Sequence, residues 1–194
     1  FNAKHYTIKL SEKEHYFNLF SDLKNYIDKP IIILHLFSCI NFKNKLLNNQ
    51  EIDHMLDYGF YSVLFMLQGY IEYFGSEEEL KCGIITDASQ QVTGAEKLNP
   101  INATLTGMCR VVPQEYEKLQ LNLIDIDGNE PYDVFLPTAI VNYCVSKWVA
   151  SCPIRAFRNG YQWDLTYSNL QLTESINRFR NNGVYLCTGG LGGI

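Results

Sequence analysis

The feature that most constrains this chain is an alternation of short apolar runs with longer segments of helical period. Residues 31–36 (IIILHL), 81–86 (KCGIIT) and 119–126 (LQLNLIDI) are the runs. Apolar runs of this kind are how strands covered on both faces of a parallel sheet look. Between them lie stretches long enough to cross back over a sheet as helices. The most hydrophobic, residues 52–74, is interrupted by Asp53, Asp57, Gln68 and Glu72. That leaves too short an uncharged run for a bilayer core of about 20 residues, and predicts a buried helix instead. Asn99 and Pro100 open a further helix over 101–112, with proline placed where its missing N–H costs nothing. Residues 131–150 read as mostly helical, ending near Cys152 and Pro153. Strand and helix in regular succession predict an α/β fold, an open sheet with helices on both faces.

The flanks add smaller elements. Residues 5–10 (HYTIKL) alternate as a short strand, and Ser11, Glu12, Lys13 and Glu14 supply a capping box. The helix that follows carries an apolar stripe of Tyr16, Leu19, Phe20, Leu23, Tyr26 and Ile27. Residues 154–157 and 162–166 flank Asn159-Gly160, a pair that favours a tight hairpin turn. Residues 173–181 predict a last short helix stopped by Gly183, and residues 184–187 (VYLC) a strand that runs into a glycine-rich turn.

Composition narrows the function classes. The 194 residues carry a formal charge of −5 with Lys and Arg scattered singly, so no basic face argues for nucleic acid or an anionic membrane. Six cysteines, Cys39, Cys82, Cys109, Cys144, Cys152 and Cys187, form no C-x-x-C pair. Several lie in apolar stretches where a free thiol behaves as a small hydrophobe, and a reducing, cytoplasmic setting is the simpler expectation. The first fifteen residues lack a signal-peptide pattern. His5, His15, His35 and His54 are not spaced as metal ligands, so no metal is expected. The stretch Asp125 to Glu130 has its glycine two positions too early for a calcium loop and reads as a strand-ending turn.

One motif carries chemistry. Thr188, Gly189, Gly190, Leu191, Gly192, Gly193 and Ile194 follow the predicted strand. Glycines there let a backbone approach a pyrophosphate, and the helix after such a turn supplies N–H groups to bind it. The seven residues fit the T-G-x-x-x-G-I-G loop of short-chain dehydrogenases up to the residue before its final glycine. Without the helix, the expectation is an incomplete cofactor-binding loop in a chain that is not a complete enzyme. Tyr143 and Lys147 have the Tyr-x-x-x-Lys spacing with which that family protonates a carbonyl. In that family the pair follows the glycine loop by well over a hundred residues, whereas here it precedes it, so it reads as a decoy. The turns after the first two apolar runs, Phe37 to Phe42 and Thr86 to Ser89, contain no glycine. Neither is suited to cradle a pyrophosphate.

These segments together resemble the ketoreductase region of modular polyketide synthases, and within it the N-terminal structural subdomain. The resemblance rests on Ile85 to Val92 with Thr93, Gly94 and Glu96, on Pro100 to Leu119 with its Pro-Gln-Glu-Tyr ending, and on Leu123 to Asp127. It rests also on Ile154 to Trp163 and on Gly183 to Ile194, so that it covers about residues 83–194, while the first 80 agree in pattern alone. It implies a truncated Rossmann-like sheet over residues 1–183, with an added hairpin. Residues 184–194 would be the first strand and truncated glycine loop of a catalytic subdomain. That catalytic half would bind NADPH and reduce a β-ketoacyl thioester on an acyl carrier protein, and its catalytic residues match nothing in this chain. The implied partners are the catalytic subdomain, the acyl carrier protein and other synthase domains. An exposed apolar patch is expected where the other half docks, and it could pair two copies of the fragment. Two other readings stand beside this one. The chain could be half of a pseudo-ketoreductase that supports a methyltransferase or enoylreductase, or an independent reductase using Tyr143 and Lys147.

Overall fold

In the computed structural model, residues 4–26, 31–39, 47–127, 135–146, 148, 152–171, 179–186 and 188 are described. The elements in order are α1 (Lys13–Leu23), β1 (Ile31–His35), α2 (Asn49–Leu56), a π turn (Asp57–Tyr61), α3 (Ser62–Phe74) and β2 (Leu80–Asp87). A short 3-10 turn (Asn102–Thr104) leads into α4 (Leu105–Glu115), followed by β3 (Leu119–Ile126), α5 (Phe135–Val145), β4 (Ile154–Arg158) and β5 (Tyr161–Asp164). One sheet runs in the order β1-β2-β3-β4-β5. Its first four strands are parallel, and β5 is antiparallel to β4. The α/β fold with helices on both faces is as expected.

The period of two along each strand decides which helix lies where. Leu80, Cys82 and Ile84 of β2 and Leu119, Leu121 and Leu123 of β3 point to one face, where Val63, Met66, Leu67 and Tyr70 of α3 and Leu105 and Cys109 of α4 cover them. Tyr16 and Phe20 of α1 extend that core from behind α3. On the other face Ile85, Ile124, Ile126 and Phe157 meet Ile140, Tyr143 and Cys144 of α5, with Trp148 just beyond it. A Cβ at Gly83 would stand 2.9 Å from Cys144 Sγ, so the missing side chain is what lets α5 lie this close. Every step along the sheet goes the same way, and α5 is on the opposite face from α3 and α4. The β3-α5-β4 crossover therefore has the opposite hand from the two before it.

Several expectations are corrected. Residues 5–10 form no strand; a lone alternating hexapeptide without a neighbour in register has no ladder to join. The N-cap of α1 is Glu12, with no side-chain cap bond, so the capping box on Ser11 does not form. The box the chain does make lies at α2, where Asn48 accepts from Glu51 N and Glu51 accepts from Asn48 N. The helix over 52–74 starts at Asn49, but α2 buries nothing, and the π turn separates it from the buried α3. β1 is covered on one face only: it is an edge strand, and Ile32 and Leu34 are exposed. Residues 184–186 belong to no strand and are exposed, so the expected closing strand is not in the sheet; its last residue, Cys187, lies outside the described residues. The predicted helix over 173–181 falls largely outside them too, and residues 179–181 are not helical.

The helix opened by Asn99 and Pro100 begins instead as the 3-10 turn and runs on to Glu115 with Pro113 inside its last turn. The Asn-Gly hairpin forms as predicted, with Asn159 and Gly160 at φ of 52° and 75°, the left-handed pair a two-residue turn requires.

Candidate functional site

In open α/β sheets, ligands bind beyond the carboxyl ends of the strands. Here that region is filled by the protein's own polar side chains. Asp125, near the end of β3, is fully buried and accepts from Thr86 Oγ1 at 2.7 Å, Ser89 N at 2.7 Å, Ser89 Oγ at 2.8 Å and Gln90 N at 3.1 Å. Arg158, at the end of β4, pairs with the same carboxylate and is itself 1 % exposed. Its other donors reach Asp125 O at 3.1 Å, Phe157 O at 2.9 Å and Gln90 O at 3.0 Å. Its Nε lies 3.4 Å from Glu96 Oε1. A buried charge is stable only when paired and hydrogen-bonded; Arg158 is paired with two carboxylates and hydrogen-bonded through both terminal nitrogens, while its Nε faces Glu96 without a hydrogen bond.

Glu96 closes the loop after β2. Its carboxylate accepts from the N–H groups of Val92, Thr93 and Gly94 at 3.1, 2.7 and 2.9 Å. Burial opposes its ionisation, but backbone N–H groups, those of Thr93 and Val92 among them, outweigh this and hold its pKa down to about 2. The loop is fixed at its root as well: Ala88, at φ 52°, donates to Ile126 O, and Asn99 N donates to Ala88 O at 2.7 Å. Asn102 Nδ2 spans Ser38 O and Asp87 O at 3.0 and 2.9 Å, tying the turn after β1 to the end of β2. The two glycine-free turns are thus latched to each other.

A second buried polar group sits behind this corner. His35, the last residue of β1, places Nε2 2.6 Å from Ser62 Oγ and Nδ1 3.3 Å from Ser38 Oγ. Ser62 Oγ is also 2.7 Å from Tyr58 O and 3.0 Å from Gly59 O, carbonyls of the π turn. The single hydroxyl proton goes to a carbonyl, so Nε2 carries the imidazole proton and Nδ1 accepts from Ser38. Burial pushes the pKa of His35 down to about 4. His35 and Ser62 are each at most 4 % exposed, so this Ser-His pair is closed to substrate and serves packing.

Of the sequence-derived candidates, Thr188 and Tyr143 are among the described residues. Thr188 is exposed, and Gly189, Gly190, Leu191, Gly192, Gly193 and Ile194 lie outside the described residues. Tyr143 is buried against the sheet, its hydroxyl bonded to Asn122 Nδ2, with Arg155 over its ring at 4.3 Å. Burial raises its pKa, the reverse of what a Tyr-Lys pair needs, and Lys147 lies outside the described residues. Burial likewise raises the thiols of Cys82, Cys109 and Cys144. Among the described residues no cluster of His, Cys, Asp or Glu could hold a metal, and no helix is long and apolar enough to cross a membrane. A cleft of about 360 Å³ lies between α4 and the start of β4, lined by Cys109, Arg110, Pro113, Ile154, Leu165 and Tyr167. It is at the amino end of β4, and Arg110 there is engaged with Tyr167.

The residues that organise the corner, Asp125, Arg158 and Glu96, were missed as a set. The available signal was an acidic residue inside an apolar strand and an arginine just before a hairpin turn.

The fold thus defined is an open, mostly parallel α/β sheet whose described strand ends are filled by polar side chains. The beta-ketoacyl synthase-like, N-terminal family model matches residues 1–142, and the chain belongs to that family. The match takes in the first 80 residues, which carried no motif of their own. No curated protein matches the chain significantly.

Among solved structures, a multidomain adenylation, ketoreductase and pseudo Asub structure of a keto acid-selecting NRPS module is similar at a TM-score of 0.67 and 21% identity. That similarity covers 80% of this chain and 12% of the other. An N-terminal ketoreductase from the macrolactin assembly line is similar at 0.58 and 14% identity over 84% of this chain and 32% of that one. A short-chain dehydrogenase from Mycobacterium avium is similar at 0.62 and 9% identity over 89% and 66%. The chain therefore spans a third or less of the first two. At these identities the likeness is one of fold. The resemblance to the N-terminal structural subdomain of a polyketide-synthase ketoreductase is borne out.

Proposed function

We propose that this chain is a scaffold: the non-catalytic half of a ketoreductase, supporting NADPH-dependent reduction of a β-ketoacyl thioester on an acyl carrier protein by a catalytic half. The observation that carries this reading is the sealed corner. Where a dinucleotide would need open backbone N–H groups at a glycine turn, the N–H groups of Ser89, Gln90, Val92, Thr93 and Gly94 are already given to Asp125 and Glu96. A pyrophosphate would have to displace two carboxylates that Arg158 already neutralises. The described part of the chain thus fits a cofactor poorly, and its role is to present a rigid sheet to neighbouring domains of the assembly. The partners in this reading are the catalytic subdomain, the acyl carrier protein and other synthase domains.

The test is NADPH binding by calorimetry to this chain and, in parallel, to a version extended through the catalytic half. Binding by the extended version alone is expected. Tight binding by this chain alone overturns the scaffold assignment.

A further inference from the structure

We propose that β5 is the seam of a homodimer in which two copies of the chain join their sheets edge to edge, antiparallel, about a two-fold axis at Trp163. Among the described residues β5 is a terminal strand of the sheet, and all four of its residues are exposed. Tyr161, Trp163 and, just beyond the strand, Leu165 fall on one face by the period of two, and they are 69%, 47% and 40% exposed. An exposed apolar edge of this kind is a template for another strand unless it is blocked, and β5 carries neither proline nor lysine.

The hydrogen bonding of the hairpin says which backbone groups are free. Leu165 N donates to Ile154 O. With the register Ala156↔Trp163 and Arg158↔Tyr161, the odd-numbered residues of β5 bond inward to β4. Gln162 and Asp164 therefore turn their N–H and C=O groups outward. A two-fold axis at Trp163 sets Gln162 of one copy opposite Asp164 of the other in two hydrogen-bonded pairs. Trp163 then faces its own copy in the close, non-hydrogen-bonded position, and Tyr161 faces Leu165 across the seam. The neighbouring register, centred on Asp164, would put two carboxylates opposite each other, which is unfavourable. In the proposed register each Asp164 faces an amide and keeps its pairing with Arg155. The seam is self-complementary in shape and charge, the condition for an isologous contact. A strand of 4 residues makes a small seam, so association is expected in the micromolar range or above.

The experiment is sedimentation of this chain over about 1 μM to about 1 mM, with four variants. A rise from monomer to dimer mass is expected. Gln162→Pro removes an outward N–H and leaves the β4 ladder intact; it should weaken association at least tenfold, as should Trp163→Lys. If circular dichroism shows that one of these unfolds, the other carries the test. Ile32→Lys, on the opposite sheet edge, should leave association unchanged. Trp163→Cys should form an interchain disulfide on mild oxidation, since that pair's Cα atoms would be about 4.5 Å apart. A chain that stays monomeric throughout overturns the proposal. So does a dimer that Ile32→Lys dissociates and Gln162→Pro does not, or one in which Trp163→Cys fails to cross-link.

Discussion

Lowering the pH from 7.5 to 5 should destabilise this fold through one residue, His35. In the folded chain its imidazole is neutral, held between Ser62 and Ser38 with a pKa pushed down by burial to about 4 from an ordinary 6.5. The unfolded chain therefore binds a proton from pH 6.5 downward, whereas the folded chain resists until about 4. Between those values the unfolded state holds more protons, so stability rises with pH. The contribution is complete above pH 6.5 and is lost as the pH falls toward 4. At about 1.4 kcal/mol per unit the full window corresponds to about 3 kcal/mol, of which about 2 kcal/mol is gone by pH 5. With a urea m-value of about 2 kcal/mol/M, that is a fall of about 1 M in the unfolding midpoint. Urea titrations at half-unit steps of pH, followed by circular dichroism, measure it directly. His35→Gln should be less stable at pH 7.5 and lose the slope between pH 6.5 and 5. A flat wild-type midpoint over that range, or an undiminished slope in His35→Gln, would refute the reasoning, since no other buried imidazole is present among the described residues.

Four further outcomes are expected. Arg158→Met strands the Asp125 carboxylate in the interior and should cost about 3–5 kcal/mol in denaturant unfolding, whereas Asp164→Asn, at the exposed end of the Arg155 pair, should cost less than about 1 kcal/mol. Glu96, its pKa depressed to about 2, contributes stability that is present above pH 4.5 and lost as the pH falls toward 2; Glu96→Gln should flatten acid unfolding below pH 4.5 and leave the His35 window intact. Gly83→Ala puts a methyl 2.9 Å from Cys144 Sγ and 3.2 Å from Leu34 Cδ2, and overpacking of about 1–3 kcal/mol should lower the Tm by about 2–4 °C per kcal/mol. Tyr143→Phe should leave reductase turnover of an extended protein unchanged while costing about 1–3 kcal/mol of stability, because it orphans Asn122 Nδ2.

What the sequence disclosed depended on how local the cause was. β2 and β3 are buried on both faces, and their apolar runs announced them within a residue of the observed bounds. β1 has the same kind of run but lies at the edge, and composition cannot distinguish a strand with a missing neighbour from a covered one; Ile32 and Leu34 look identical in either place. The hairpin was legible because Asn159 and Gly160 fix their own backbone. The π turn was not legible: Ser62, whose hydroxyl meets its carbonyls, is also bonded to His35, 27 residues away. Arg158 and Asp125 are 33 residues apart, and nothing in either one's neighbours in the chain names the other. The polar corner went unread for the same reason. Glycines are conspicuous in a sequence, whereas a carboxylate that fills a corner is known only by what converges on it.

The strand order bears on function independently of the sealed corner. A crevice for a nucleotide opens in an α/β sheet where the strand order reverses and adjacent loops diverge to opposite faces. From β1 to β4 this sheet advances in one direction, so it has no reversal. The change of face comes instead between α4 and α5, across β3. The gap that such a change would open is where Asp125 at the end of β3 and Arg158 at the end of β4 meet, with Glu96 capping them from the loop after β2. The polar cluster thus stands, among the described residues, where divergent connections could have left a cleft. Removing its charges without replacing their volume should therefore open a wet cavity there rather than a nucleotide site, since the backbone donors around it come from two glycine-free turns latched together by Asn102. An Asp125→Ala, Arg158→Ala pair with higher NADPH affinity than the wild-type chain would show that the seal, and not the strand order, limits binding at this corner.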